Sequence, residues 1–379
     1  MSSILIVAGE SSGEKHGASL VHELKKIQPS WEFFGIGGKW MKKEGVEVLF
    51  AVEELAVVGA VEIISQVPRI RKIFNQILKQ CRSRSPAAAV LVDSPDFNLR
   101  LAKKLKKLSI PVLYFISPTV WAWRKARLKT IKKTVEKMLL IFPFEESIYK
   151  ENGIPAAYVG HPLLERVSVT LNKKEFFRKY GLHPKKRLIA ILPGSRKSEI
   201  KYHLPILMEA IPKIRDEFSA QFVLIQAETL EKDFLLSSII SGVEDLKILT
   251  EDSYNAMAAS DLVLSACGTA NLEAALVETP LIAFYRISYL SYCVGLKLMK
   301  IKNFSIVNIL AEKKIIPELI QSHFTAQTIF DEAKKILDSE KVRAEMIREF
   351  RRIKALLGEK KASQNAALEL ERMIHSRAR

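Results

Sequence analysis

The sequence predicts an α/β protein made of two doubly wound, Rossmann-like units. Three observations lead there. Short, almost wholly apolar runs alternate with longer amphipathic stretches along most of the chain. At 379 residues the chain exceeds what one ordinary hydrophobic core holds. The alternation is interrupted once, at residues 167–186, by a polar and basic stretch that reads as the linker region.

In the first half the strand candidates are 4–8, 33–36, 88–92, 112–116, 138–142 and 157–159. Each is short and nearly all apolar, as parallel strands buried on both faces must be. Helical patterns at 17–27 and 98–108 lie between them, which implies a doubly wound sheet. The second half repeats the pattern with strands at 188–192, 222–226, 247–249, 262–265 and 281–284. The last residues read as helices rich in Arg and Lys, at 343–357 and 362–376. No short internal repeat is visible. Two such halves imply a ligand cleft between them.

Composition narrows the class. Lys plus Arg number 59 and Asp plus Glu 42, a formal net charge of +17. That excess suits a polyanionic partner, whether nucleic acid, anionic lipid or a phosphorylated substrate, or simply a solvated basic surface. No aromatic RNA-binding motif, zinc spacing or helix-turn-helix cue supports nucleic acid. Cys81, Cys267 and Cys293 are far apart and odd in number, so neither a metal site nor a disulfide framework is expected. The opening residues read as a first strand rather than a secretion leader. No apolar run reaches the ~18 residues of a spanning helix. The segment 54–64 is nonetheless unusually apolar. Residues 68–84 after it are basic and amphipathic, a pairing that suits a membrane surface as well as it suits a core helix.

Five segments follow strand candidates and carry chemistry-bearing residues. Gly9-Glu10-Ser11-Ser12-Gly13-Glu14 lacks the glycine spacing of a dinucleotide fingerprint, and its acids suit hydroxyl-rich groups better than a pyrophosphate. A capped strand–helix turn is its structural alternative. Asp93-Ser94-Pro95-Asp96-Phe97-Asn98 puts two carboxylates at a strand end. Asp93 is placed there as a general base, and Asp96 as a helix cap or a partner orienting Asp93. Ser117-Pro118-Thr119-Val120-Trp121-Ala122-Trp123-Arg124 offers indoles for a sugar face or an acyl chain, unless they are core. Arg124 suits a phosphate. Pro193-Gly194-Ser195-Arg196 offers amides, a hydroxyl and a guanidinium to a diphosphate. Cys267-Gly268-Thr269-Ala270-Asn271-Leu272-Glu273 opens a helix, with Glu273 one turn inward and able to accept from a ribose.

Taken in order, these five segments resemble the lipid-A-disaccharide synthase family. Phe142-Pro143-Phe144-Glu145, Val159-Gly160-His161-Pro162 and Val307-Asn308-Ile309-Leu310 fit the same pattern, and the resemblance runs from about Ile4 to the C-terminal helices. It implies a glycosyltransferase-B fold. Residues 1–168, completed by helices of 350–379, would bind the acceptor, and 169–349 the UDP-sugar. The implied reaction is an inverting, metal-independent transfer without a cofactor. UDP-2,3-diacylglucosamine would be the donor and 2,3-diacylglucosamine 1-phosphate the acceptor. The products would be the β-1,6-linked disaccharide 1-phosphate and UDP. Asp93 would be catalytic. Glu10, Ser12, Asp96, Asn98, Trp121 and Arg124 would lie in the acceptor or donor-sugar region. Gly194, Ser195, Arg196, Gly268, Thr269, Glu273 and Asn308 would bind UDP. One departure is visible: Glu14 stands where the family has Asp, which leaves the role of that position open. The implied location is the cytoplasmic face of an anionic inner membrane. The rival is a UDP-sugar 2-epimerase of the same fold, against which the tryptophan-rich basic segment argues.

Overall fold

The computed structural model describes residues 2–55, 60–239, 246–288, 292, 303–359 and 361–378. The chain divides into two compact units. The first is Met1–Glu165 with Leu357–Arg379, and the second is Arg166–Leu356.

The first unit holds a seven-stranded, all-parallel sheet. Its strands are β1 (Ser3–Ala8), β2 (Glu32–Gly37), β3 (Glu47–Ala51), β4 (Ala88–Val92), β5 (Val112–Phe115), β6 (Lys137–Leu140) and β7 (Ala156–Tyr158), in spatial order 3-2-1-4-5-6-7. Successive side chains along a strand point to opposite faces, so a strand buried on both faces is apolar throughout. In β1, Leu5 and Val7 enter one core with Ile73, Ile77, Leu101 and Leu105. Ile4, Ile6 and Ala8 enter another, with Leu20, Val21 and Leu24 of the first helix and Ala366, Ala367 and Leu370 of the last. The C-terminal helix Ala362–Ala378 therefore belongs to the first unit's core.

The second unit repeats the plan with six parallel strands. They are β8 (Arg187–Leu192), β9 (Ala220–Ile225), β10 (Lys247–Leu249), β11 (Leu262–Ala266), β12 (Leu281–Tyr285) and β13 (Glu318–Ile320), in order 10-9-8-11-12-13. In both sheets the strand order reverses beside the first strand, at β1/β4 and at β8/β11. Crevices at the carboxyl ends of such strand pairs are where doubly wound sheets bind ligands.

Several expectations need correction. The first helix is Ser11–Ile27 and does not wait for residue 17. Gly13 and Gly17 lie inside it, where a Cβ would sit 3.6 Å from the Val92 side chain and 3.1 Å from the Met41 sulfur. Gly17 permits close packing, Gly13 stands at ordinary contact distance, and neither makes a loop. Strand β5 stops at Phe115 because Ile116 takes a left-handed backbone, φ +70°. Residues 167–186 are not merely a linker: the helix Lys173–Lys179 buries Phe176 and Phe177 within the second unit. The edge strands β3 and β13 have no counterpart among the expected strands. The segment 68–84 falls in the helix Ala60–Arg84, whose Ile73, Ile77, Leu78 and Cys81 face the core. Its Arg69 and Arg84 pair with Glu54 and Glu47. That stretch is a core helix with a solvated face. Residues 56–59 and Cys293 lie outside the described residues, as do the side chains of 60–66. Among the described residues, no helix is long and apolar enough to cross a membrane.

Leu370 is fully buried and Leu356 is 48% exposed. Leu370→Ala should cost about 2–5 kcal/mol, and Leu356→Ala less than about 0.5 kcal/mol. Urea unfolding of both variants reads the difference. Equal effects would contradict the docking of the last helix.

Candidate functional site

In the first unit the motifs converge at the carboxyl end of β1 and β4. Beyond Val92, Asp93 and Ser94 both adopt left-handed backbone, φ +49° and +44°. Each such non-glycine residue costs roughly 1 kcal/mol or more, so the turn must be held. Asn98 Nδ2 donates to the carbonyls of Val92 at 3.1 Å and Asp93 at 2.8 Å. The Tyr114 hydroxyl donates to the Asp93 carbonyl at 2.6 Å, and the Asp93 N–H to Phe115 O at 3.0 Å. Ser94 lies so close to Gly9 that a Cβ there would sit 2.1 Å from its own. The first and second motifs are thus built against each other.

This geometry sets the acidity of Asp93. Burial disfavours the carboxylate, and the nearby Glu10 charge adds to that. The Ser94 N–H and Arg127 oppose them, and the carboxyl is held up at about 6. Glu10 is exposed at the cap position of the first helix. Ser12 follows it, but its side chain lies outside the described residues.

The remaining first-unit candidates separate into different jobs. Asn98 is fully buried and its Nδ2 is engaged on the turn, which gives it a holding role there. Asp96 neither caps the helix Pro95–Lys107 nor orients Asp93. It is 71% exposed, and one of its oxygens accepts from Arg124 at 2.8 Å and Arg127 at 2.7 Å. Trp121 is half-buried, edge-on to Phe144, which stacks on Phe142. Beneath them Glu145 is buried, and burial raises its carboxyl to about 7 against its bonds to Ser117 and the Phe142 N–H. Glu14, the departure from the family pattern, is buried and accepts from the Met41 N–H at 2.8 Å. It anchors the start of the short helix Lys39–Lys43.

In the second unit the two loops stand at the carboxyl ends of β8 and β11. Gly194 has φ +131°, where other residues are strained, and a Cβ would strike Glu199. The Ser195 and Arg196 amides donate to Glu199 Oε2 at 2.8 and 3.2 Å. The Ser195 N–H, expected with that of Gly194 to face a diphosphate, is therefore engaged in a capping box for the helix Lys197–Phe218. The loop presents instead the Arg196 side chain, 66% exposed and lightly tethered to Glu199. Gly268 caps the helix Thr269–Leu276, whose start carries no side-chain cap, so this end keeps its attraction for an anion. Glu273 is half-buried and accepts from the Tyr254 hydroxyl at 3.3 Å.

Asn308 is the other correction. It is fully buried; its amide donates to Ile316 O and Glu318 and accepts from the Ile315 and Ile316 N–H groups. No capacity remains for a nucleotide, so it shapes the loop before β13. Composition and spacing did not single out two other residues. His203 is buried, with Nδ1 bonded to Pro193 O at 2.7 Å and Nε2 accepting from the Arg286 N–H at 2.9 Å. It ties the Gly194 loop to the end of β12, where Arg286 is exposed. A histidine four residues after Glu199 on the same helix was the available signal. Among the described residues, no group of three or more His, Cys, Asp or Glu is arranged to hold a metal ion.

The folded state holds the Asp93 proton to higher pH than the unfolded chain, whose carboxyl titrates near 3.8. Its contribution therefore favours folding most at low pH and is lost as pH rises through about 6. Asp93→Asn should raise stability at pH 8 by up to about 3 kcal/mol and hardly change it at pH 4. Urea melts at both pH values test this. A destabilised variant at pH 8 would contradict the strained, desolvated carboxylate.

The chain matches the lipid-A-disaccharide synthetase family over residues 4–371. The lipid-A-disaccharide synthase of Solibacter usitatus is 38% identical over 375 residues, 99% of this chain and 98% of the relative. That of Myxococcus xanthus is 40% identical over 366 residues, 96% and 95% of the two. Among solved structures, a ugt transferase from Siraitia grosvenorii in complex with UDP superposes with a TM-score of 0.64 at 12% identity, covering 100% of both chains. The UDP-GlcNAc 2-epimerase of Neisseria meningitidis bound to UDP-GlcNAc gives 0.63 at 11%, covering 99% and 100%. At such identities these likenesses speak to fold alone: two Rossmann-like units of the glycosyltransferase-B kind. The family match and the long, near-40% relatives say more, and the chain belongs to the lipid-A-disaccharide synthase family, hexosyltransferases of lipid A biosynthesis.

Proposed function

We propose that the chain joins UDP-2,3-diacylglucosamine to 2,3-diacylglucosamine 1-phosphate by inverting transfer, giving the β-1,6-linked disaccharide 1-phosphate and UDP. The first unit takes the acceptor and the second the UDP. The observation that carries the reading is Asp93, a desolvated carboxyl poised near 6 at the β1/β4 reversal. As the acceptor 6-hydroxyl oxygen bonds to the anomeric carbon, its proton passes to Asp93. The bond from that carbon to the diphosphate oxygen breaks, and its electron pair leaves with UDP. Arg196 and the uncapped helix start at Gly268–Thr269 meet the growing negative charge, and Glu273 accepts from the ribose. The likeness to UDP-sugar 2-epimerases is one of fold and adds nothing to that rival.

Purified protein mixed with the two diacyl sugars should release disaccharide 1-phosphate and UDP. Asp93→Asn should lower kcat by ~10²–10⁴. In the wild type, kcat/KM should fall as pH drops through about 6, and Glu10→Gln should move that limb to lower pH. Near-normal turnover by Asp93→Asn would remove the base; no disaccharide at all would remove the reaction.

The same reading places the protein at the cytoplasmic face of an anionic inner membrane, where its lipid substrates reside. Trp40 supports this: it is 38% exposed, with the Lys15 and Lys39 ammonium groups 6.0 and 5.1 Å from its ring. An indole among lysines suits a headgroup layer. Binding to phosphatidylglycerol vesicles should survive high salt in part and weaken in Trp40→Ala and Val57→Asp. No sedimentation with vesicles would end the membrane arm.

A further inference from the structure

We infer that Arg124 and Arg127 form a seat for the phosphate of a sugar 1-phosphate, which the Asp96 carboxylate fills until that phosphate displaces it. This rests on the reading of the first unit as the acceptor side and names the group that the acceptor is recognised by.

Two guanidinium groups meet at a single oxygen of Asp96, at 2.8 and 2.7 Å. Two positive charges thus face one negative charge, and the surplus favours an anion of higher charge. A phosphate monoester carries more than one negative charge near neutral pH and three acceptor oxygens, enough to take both forks. The arginines are not loose surface groups. Both lie against the Trp123 ring, 4.3 Å for Arg124 and 5.3 Å for Arg127. The Trp123 N–H is fixed on Thr119 Oγ1 at 3.1 Å. Arg124 also holds a left-handed backbone, φ +53°, and its carbonyl accepts from the Arg127 N–H at 2.9 Å.

Exposure distinguishes the fixed partner from the exchangeable one. The Arg127 side chain is 12% exposed, Arg124 47% and Asp96 71%. The acid is the member that solvent reaches most readily, and an exposed ion pair of this kind contributes little to stability. Its position fits the reaction. Asp96 lies three residues after Asp93, in the first turn of the helix Pro95–Lys107. A phosphate there sits on the same unit as the base. The alternative is that Asp96 only clamps the 117–127 loop, in which case removing its charge cannot improve binding of anything.

The opposite signs of two substitutions decide between these. Binding of glucosamine 1-phosphate and of glucosamine is followed by NMR titration of the full chain, with inorganic phosphate as competitor. The wild type should prefer the phosphorylated sugar at least tenfold. Arg127→Gln should abolish that preference, and Arg124→Gln should do the same should the more buried substitution fail to fold. Asp96→Asn should tighten glucosamine 1-phosphate several-fold and leave glucosamine unchanged. Weaker or unaltered binding by Asp96→Asn would overturn the proposal. So would an unchanged preference in the arginine variants, or inorganic phosphate competing as well as the sugar phosphate. The titration needs no turnover. A failed disaccharide assay with this binding pattern intact therefore overturns the reaction and not the seat, and the reverse result overturns the seat alone.

Discussion

The arrangement depends on one constraint: two consecutive non-glycine residues, Asp93 and Ser94, are forced into left-handed backbone at the end of β4. That conformation turns the chain sharply at the carboxyl end of a central strand and leaves the half-buried carboxyl partly desolvated. It survives because its carbonyls are held from two sides, by Asn98 on the following helix and Tyr114 on the neighbouring strand. Ser94 then needs an empty place, which Gly9 supplies. A glycine in one loop, a strained pair in the next and a buried amide beyond them form one device.

The second unit reuses this device without the strain. In the strand registers, Ala8 pairs with Val92 and Leu192 with Ser265, so Val92 and Ser265 are equivalent. Asn98 lies six residues beyond the first and Asn271 six beyond the second. Asn98 Nδ2 reaches the carbonyls of Val92 and Asp93; Asn271 Nδ2 reaches the Ser265 hydroxyl and the Ala266 carbonyl, each at 3.0 Å. In both, Oδ1 is buried without a protein partner. Ala266 stands where the first unit has Asp93. The second unit keeps the scaffold and lacks the acid.

Much of this was legible because burial on both faces leaves a plain mark. The central strands are continuous apolar runs, and the motifs follow them directly. Edge strands leave less: β3 is only half-buried and β13 spans three residues, so neither shows the run. Functional residue types were legible, but their use was not. Asp96, Asn98, Ser195 and Asn308 all carry ligand-like groups, yet each is engaged by partners within the protein, near in sequence for three of them and distant for Asp96. Arg127 meets Asp96 from 31 positions away. Glu199 uses up amides that look like an anion nest, and Glu318 closes the accounts of Asn308. Spacing reveals which groups stand at a strand end, but not which have already been satisfied. The repeated asparagine was hidden for a related reason, since only its distance from the strand end is kept while the intervening residues differ.

Opposite electrostatics on equivalent topology suit the two halves of the proposed transfer. At the first reversal, burial and the Glu10 charge keep a proton on Asp93 up to about pH 6, with the Ser94 N–H and Arg127 preventing a larger rise. A carboxylate of that strength suits the base proposed for the reaction: it is mostly ionised near neutrality and still able to accept a proton from a hydroxyl. At the second reversal, Arg196 and an uncapped helix start offer positive potential, which suits the diphosphate of the proposed donor. Glu199 stops that loop's own amides from competing and holds Arg196 by a single bond at 3.1 Å. The net charge of +17 is too diffuse to explain either end; what matters is that an acid sits desolvated at one strand end and a cation sits exposed at the other.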